Sequence, residues 1–182
     1  MNVVKFINHV LKEEIRRIQQ EYEWKHTYLS FGLISGGIEF LGALCDRYDL
    51  NEGRHSEDRF NDALIKFFDP RYHNYAQRAE PFNLYSNLRC GMLPVVIPTD
   101  KLILGERAND SANYIHLNKY RIMGNEYLFL MAEDFYDDFQ SACDKVINMI
   151  NDKSILNLPE VIRASQKKKD MLELKGDLLK IE

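Results

Sequence analysis

The chain has 182 residues, 45% of them hydrophobic and 29% charged, with a net charge of −4 and an isoelectric point near 5.8. That length suits one domain with a real core and leaves two tight, and the composition is that of an ordinary soluble protein. The acidic balance excludes a nucleic-acid binder that works by bulk charge, because phosphate contacts demand a basic surplus; RNA binding would need a local patch.

Residues 3–20 carry Val3, Ile7, Val10, Leu11, Ile15 and Ile18 at three- and four-residue spacing, with charges between them. The spacing predicts an amphipathic helix. The N-terminus lacks an unbroken apolar run and a small-residue cleavage site, so no signal peptide is expected. A second helix is predicted over 28–48. Its apolar arc is Leu29, Leu33, Ile34, Ile38, Phe40, Leu41 and Leu44, and Gly32, Ser35, Gly36, Glu39, Gly42 and Asp46 gather opposite. Glycine disfavours helix, so this face predicts close approach of another backbone, with Glu39 in the contact. The apolar run 28–45 could nearly span a bilayer, but a central carboxylate costs about 2.5–3.5 kcal/mol in lipid. A buried helix without membrane contact is expected.

After a loop, Ser56 opens a third helix that buries Phe60, Leu64 and Phe67 or Phe68, with Arg59 where a capping box would have Glu or Gln. "DPRYHNYAQRAEP" is a connector. A fourth helix is predicted over 81–92, ended by Gly91, Pro94 and Pro98. "KLILGE", "NYIHLN" and "EYLFLMA" then read as strands of a small antiparallel sheet. Helical spacing returns through Phe135, Phe139, Ala142, Val146 and Met149 or Ile150. From Asn151 the chain is charged. Met171, Leu174, Leu178 and Ile181 suggest a C-terminal helix packed on a partner or back on the body, too short for an independent coiled coil. The expected fold is mainly α: a four-to-five-helix bundle with a small antiparallel β insertion. Residues 1–152 form the domain, 93–131 the insertion and 153–182 a charged helical tail.

Cys45, Cys90 and Cys143 are odd in number and widely spaced. They predict neither disulfides nor zinc, and fit a reducing cytoplasm. Cys90 reads as a buried structural thiol. His9 with Glu13 reads as an exposed pair. His55 with Glu57 and Asp58 reads as a solvated loop, and "QKKK" (166–169) as a solvated face. Arg71, Tyr72, His73 and Tyr75 mix basic and aromatic groups and read as a rigid connector packing its rings on the bundle; the alternative is that they stack on a ligand, with Tyr85 a further candidate contact. No metal, cofactor or nucleotide motif is present.

Within "LYSNLRCGMLPVVIP", Arg89 shares a helical half-turn with Phe82, Tyr85, Leu88, Met92 and Leu93. A guanidinium on a buried arc needs a partner, and Glu39 is the carboxylate similarly placed among apolar residues. An Arg89–Glu39 pair across two helices is therefore predicted.

"YSNLRCGMLP" resembles the LR-x-G-L-x-H segment of HEPN-type proteins, which are helical bundles. The order "EFLG" (39–42), "SEDRFNDALIKFFDPRY" (56–72), "LYSNLR" (84–89), a strand region and "EDFYDDFQSA" (133–142) is similar to a bacterial HEPN-like group. The resemblance implies a homodimer. Active members resemble a metal-independent ribonuclease whose Arg, four to six residues, then His is assembled across the dimer. The family Arg carries over onto Arg89. The His window holds Pro94, Val95 and Val96, and Cys90 follows the Arg. No histidine is available there as general acid or base, and His116 lies in a predicted strand. The expectation is a non-catalytic binding or regulatory module with a protein or RNA partner. An endoribonuclease with a rearranged site around Arg89 is the alternative.

Overall fold

Val3, Ile7, Leu11, Ile15 and Gln19 are the buried residues of the first helix, one at every fourth position. In a regular α-helix that spacing drifts about 40° per step. The drift is absorbed because Ile7–Glu14 is wound as a π-helix, whose i→i+5 bonds turn the chain less per residue. In this computed structural model, which describes residues 1–20, 27–95, 98–99, 101–107 and 113–173, Val3–Phe6, Ile7–Glu14 and Ile15–Gln20 form one helix, α1. Asn2 caps it, its Oδ1 accepting from Lys5 N at 2.9 Å.

Helix α2 spans Thr27–Cys45, α3 Ser56–Phe67 and α5 Ala132–Asn151. Helix α4 joins a π-turn, Tyr85–Arg89, to Cys90–Val95. Among the described residues a 3-10 turn, Ser154–Asn157, and two short α-helices follow α5: α6, Pro159–Ile162, and α7, Gln166–Leu172. The molecule is mainly helical with one small sheet.

Helix α2 is long and apolar enough to cross a bilayer by composition, but 61% of its most apolar window lies inside the molecule. It is covered from several sides. The Phe139 ring of α5 rests on Gly37, where a Cβ would meet it at 2.4 Å. On α3, the Arg59 carbonyl oxygen lies 1.9 Å from where a Gly42 Cβ would stand. The expected close backbone approach is therefore at Gly42 against α3. Toward α4, Gly32 meets Met92 only at ordinary contact, 3.7 Å, and Gly36 faces open space. The apolar arc also differs from expectation. Phe31, Ile34, Ile38, Leu41 and Leu44 are buried, whereas Leu29 and Leu33 are about half exposed. Burial on several faces leaves the outward stripe as the one through 29 and 33.

The sheet is mixed, not antiparallel. Strand β1 is Leu102–Gly105, β2 Lys119–Ile122 and β3 Asn125–Met131, in the order β1-β3-β2. β1 runs parallel to β3, with Leu102 opposite Leu128; β2 runs antiparallel, with Ile122 opposite Asn125. Met123 and Gly124, both at positive φ, close the β2–β3 hairpin, as the two-residue turn of a tight hairpin requires. "NYIHLN" is not a strand. Leu117 has φ +63, which breaks the extended run. β3 leads directly into α5.

The core is shared by the long helices and the sheet. Phe60, Leu64, Phe67 and Phe68 are all buried, with Phe135, Phe139, Val146 and Ile150 of α5. Ile155, Val161 and Leu172 belong to the same cluster. The segment expected as a tail thus packs back on the body as far as it is described; Leu174, Leu178 and Ile181 lie outside the described residues. Ser56 does not cap α3. It is the first helical residue after a 3-10 turn, Gly53–His55, and its hydroxyl donates to Gly53 O at 3.0 Å.

Candidate functional site

Two buried asparagines shape the start of α4, Asn83 as its N-cap. Asn83 Oδ1 accepts from Ser86 N at 2.9 Å. Asn87 Nδ2 donates to the carbonyls of Pro81 (3.0 Å) and Asn83 (2.8 Å). Asn87 Oδ1 accepts from the Thr99 hydroxyl. These bonds fix the π-turn, a form that recurs at functional sites, and Arg89 is its last residue.

From there Arg89 reaches α2. Its Nε donates to Glu39 Oε2 at 2.8 Å, with the two side chains 24% and 19% exposed. The guanidinium also lies 5.5 Å from the Tyr85 ring centroid, and the Phe60 ring meets Tyr85 edge-on at 5.8 Å. Burial raises the Tyr85 phenol above its ordinary pKa, with Cys90 adding to the effect. Arg89, Glu39 and Tyr85, named from the sequence, stand together.

A cleft of about 300 Å³ opens beside the pair, lined by Gly36, Glu39, Phe40, Ala43, Leu50, Arg59 and Arg89. Its walls are mostly apolar, with two cations and one carboxylate. Arg59 spends four of its five N–H groups on the loop after α2: Nε to Asp46 Oδ2 (2.6 Å), Nη1 to the carbonyls of Leu50 (3.2 Å) and Glu52 (3.0 Å), Nη2 to Asp49 O (2.9 Å). Arg89 differs. Among the described residues Glu39 is its only hydrogen-bond partner, through Nε, so both Nη groups can receive an acceptor from the cleft. Arginine stays protonated and cannot serve as a base, and no histidine is among these lining residues. The arrangement can hold an anion or a planar acceptor against an apolar wall.

The connector residues stand elsewhere, and Tyr72 among them joins a buried network that exposed Arg71 closes from the surface. Met131 N donates to His116 Nδ1 at 3.0 Å, which leaves the proton on Nε2. His116 Nε2 then donates to the Tyr72 oxygen at 2.7 Å, and Tyr72 donates to Asp138 Oδ2 at 2.7 Å. Arg71 closes the chain on Asp138. Burial, and then the Arg71 charge, lowers His116 to about 3; burial and Asp138 push the Tyr72 phenol well above its ordinary range. Tyr72 is fully buried and its hydroxyl is consumed inside, which fits the connector reading and removes the alternative of a ligand contact at Tyr72. The Tyr75 hydroxyl donates to Leu117 O at 3.1 Å. His73 is half-buried, with Nε2 enclosed and without a hydrogen bond. His116 is buried in a turn, not on a strand.

Two further expectations change. Cys90 is exposed, not buried, while Cys45 and Cys143 are enclosed, and burial raises both of those thiols to about 12. "QKKK" is not all a solvated face, because Lys168 is 3% exposed. Its Nζ donates to Asp46 Oδ1 (2.6 Å), Asp46 O (2.8 Å) and Tyr48 O (2.7 Å). The sequence held one weak sign of this cluster: Arg59 sits beside buried Phe60 and one turn before Ala63. His9 Nδ1 and Glu13 Oε2 form an exposed pair at 3.0 Å. His55 stacks on Tyr48 at 3.5 Å, and Glu57 and Asp58 pair with Arg78. No metal-binding cluster occurs among the described residues.

Comparison with protein-family models, with curated proteins and with solved structures found no match. The cleft must be interpreted from its own geometry.

Proposed function

We propose that this protein is a non-catalytic, HEPN-like binding or regulatory module of the cytoplasm, in which the cleft between α2 and α4 receives an anionic group of a protein or RNA partner on Arg89. The observation that carries the reading is the one-point hold on Arg89. Glu39 fixes the guanidinium through Nε and leaves the planar Nη pair, the fork that suits carboxylate and phosphate. Module rather than enzyme is favoured because the cleft joins a permanent cation to an ion-paired carboxylate with no histidine beside them.

The module acts as a homodimer in this reading. Leu29 and Leu33 are exposed on α2 with Tyr28 beside them, and they share a helix face with Gly36 and Phe40 of the cleft. This apolar stripe running into the site supports a second copy as its cover.

The test incubates the wild type and Arg89→Ala with mixed-sequence RNA in EDTA, read on denaturing and native gels, beside sedimentation at micromolar concentration. The reading expects no cleavage by either protein, a dimer, and retention of an RNA or protein partner by the wild type alone. Cleavage by the wild type alone would replace it with an endoribonuclease built around Arg89. A monomer would remove the dimeric site.

A further inference from the structure

Among its described residues, helix α7 has its apolar packing at its end, where Leu172 is buried in the core and Met171 packs against it. Of its seven residues only Lys168 and Leu172 are buried, whereas α5 buries eight. The rest of its attachment is polar. Ser165, its N-cap, donates its hydroxyl to Asp49 Oδ1 at 2.7 Å. Lys168 meets three oxygens, Asp46 Oδ1, Asp46 O and Tyr48 O, at 2.6–2.8 Å. An ammonium has three N–H donors, so the cage is filled. Its carbonyls lie just past the C-terminus of α2, where the helix dipole favours a cation.

The same Asp46 is bonded to Arg59, a lining residue of the cleft. Oδ1 takes Lys168 and Oδ2 takes Arg59. Arg59 in turn holds the carbonyls of Asp49, Leu50 and Glu52, and Leu50 and Arg59 both line the cleft. A continuous set of bonds therefore runs from α7 through Asp46 and Arg59 to the cleft lining.

We infer that α7 is a detachable latch on the cleft: Lys168 is a tethered ammonium that fills an oxygen cage at the end of α2, and its withdrawal unfastens the 46–52 loop, whose Leu50 lines the site. The regulatory meaning rests on the cleft being the binding site. A short segment whose first turn is attached by polar bonds alone among the described residues belongs to the low end of local stability. Burial lowers the pKa of the Lys168 ammonium while Asp46 opposes that shift, so the docked charge is held at a desolvation cost that withdrawal relieves.

Hydrogen exchange by mass spectrometry on the full chain tests this in the wild type and in Lys168→Ala. Exchange should rise about tenfold or more in 165–172 and in 46–52 together, with α5 unchanged, because those two segments open as one local unit. n-Propylammonium, which supplies the missing stem and charge, should restore protection where equal sodium chloride does not. An unchanged 46–52 loop, or a rise spread equally over α5, overturns the latch. If Lys168→Ala does not fold, Ser165→Ala removes one latch bond and should loosen the same two segments to a smaller degree; loosening elsewhere or nowhere overturns it equally. Exchange requires no ligand. Loss of the cleft reading, seen as binding insensitive to Arg89→Ala, would leave this result standing, and the reverse also holds.

Discussion

Arg89 and Glu39, 50 positions apart in the chain, are joined by one hydrogen bond of 2.8 Å between α4 and α2. Each side chain keeps about a fifth to a quarter of its surface, so the bond is neither a solvated surface pair nor a dry one. Arg89→Ala should cost about 1–2 kcal/mol, between an exposed pair and a fully buried one, because it leaves the Glu39 carboxylate without its partner. Glu39→Ala should cost a similar amount. The double variant should cost less than the sum, and urea midpoints of the four proteins measure the difference. Additivity would show that the two side chains are not energetically coupled.

The two glycines that flank this site on α2 predict opposite outcomes. Gly42→Ala places a Cβ against the Arg59 carbonyl, 1.9 Å from its oxygen and 2.6 Å from its carbon. Backbone cannot swing aside as a side chain can, so a loss of about 3 kcal/mol or more is expected. Gly36→Ala meets nothing within 4 Å and should stabilise by about 0.5–1 kcal/mol through helix propensity. Thermal melts of both variants check the pair, and a neutral Gly42→Ala would mean that α2 and α3 are not in this contact.

His116 predicts an acid limb of stability. Its pKa is lowered from 6.5 to about 3 in the folded protein. Above pH 6.5 both states are neutral there and the contribution is complete. As pH falls from 6.5 toward 3 the unfolded chain takes a proton that the folded one refuses, so stability drops by up to about 1.4 kcal/mol per pH unit. Relative to the wild type, His116→Gln should be less stable at pH 7.5 yet flatter between pH 6.5 and 5. Parallel curves would exclude His116 as the group responsible.

Tyr72→Phe removes only a hydroxyl, but that hydroxyl accepts from His116 and donates to Asp138. Leaving buried groups without partners costs about 1–3 kcal/mol, which lowers the melting temperature by about 2–4 °C per kcal/mol in a chain of this size. The fold should persist, because the ring still packs edge-on against Phe68 at 5.1 Å and beside Phe135. A change under 1 °C would mean that the network contributes nothing.

What could be seen in the sequence alone was local or periodic. The spacing of Phe60, Leu64 and Phe67, or of Phe135, Phe139, Ala142 and Val146, fixes helices because each residue's face follows from its number. Arg89 and Glu39 stood out because each is a charge among apolar neighbours, and a buried charge demands a partner wherever the chain provides one. The parallel pairing of β1 with β3 had no such local mark, since strand direction is set by how the connection returns. The turn at His116 alternated like a strand, and only the positive φ of Leu117 removed it. Lys168 looked like one of three solvated lysines. Its burial depends on Asp46, Tyr48 and Arg59, more than a hundred positions away, and tertiary folding alone assembles their oxygens and charges around one ammonium.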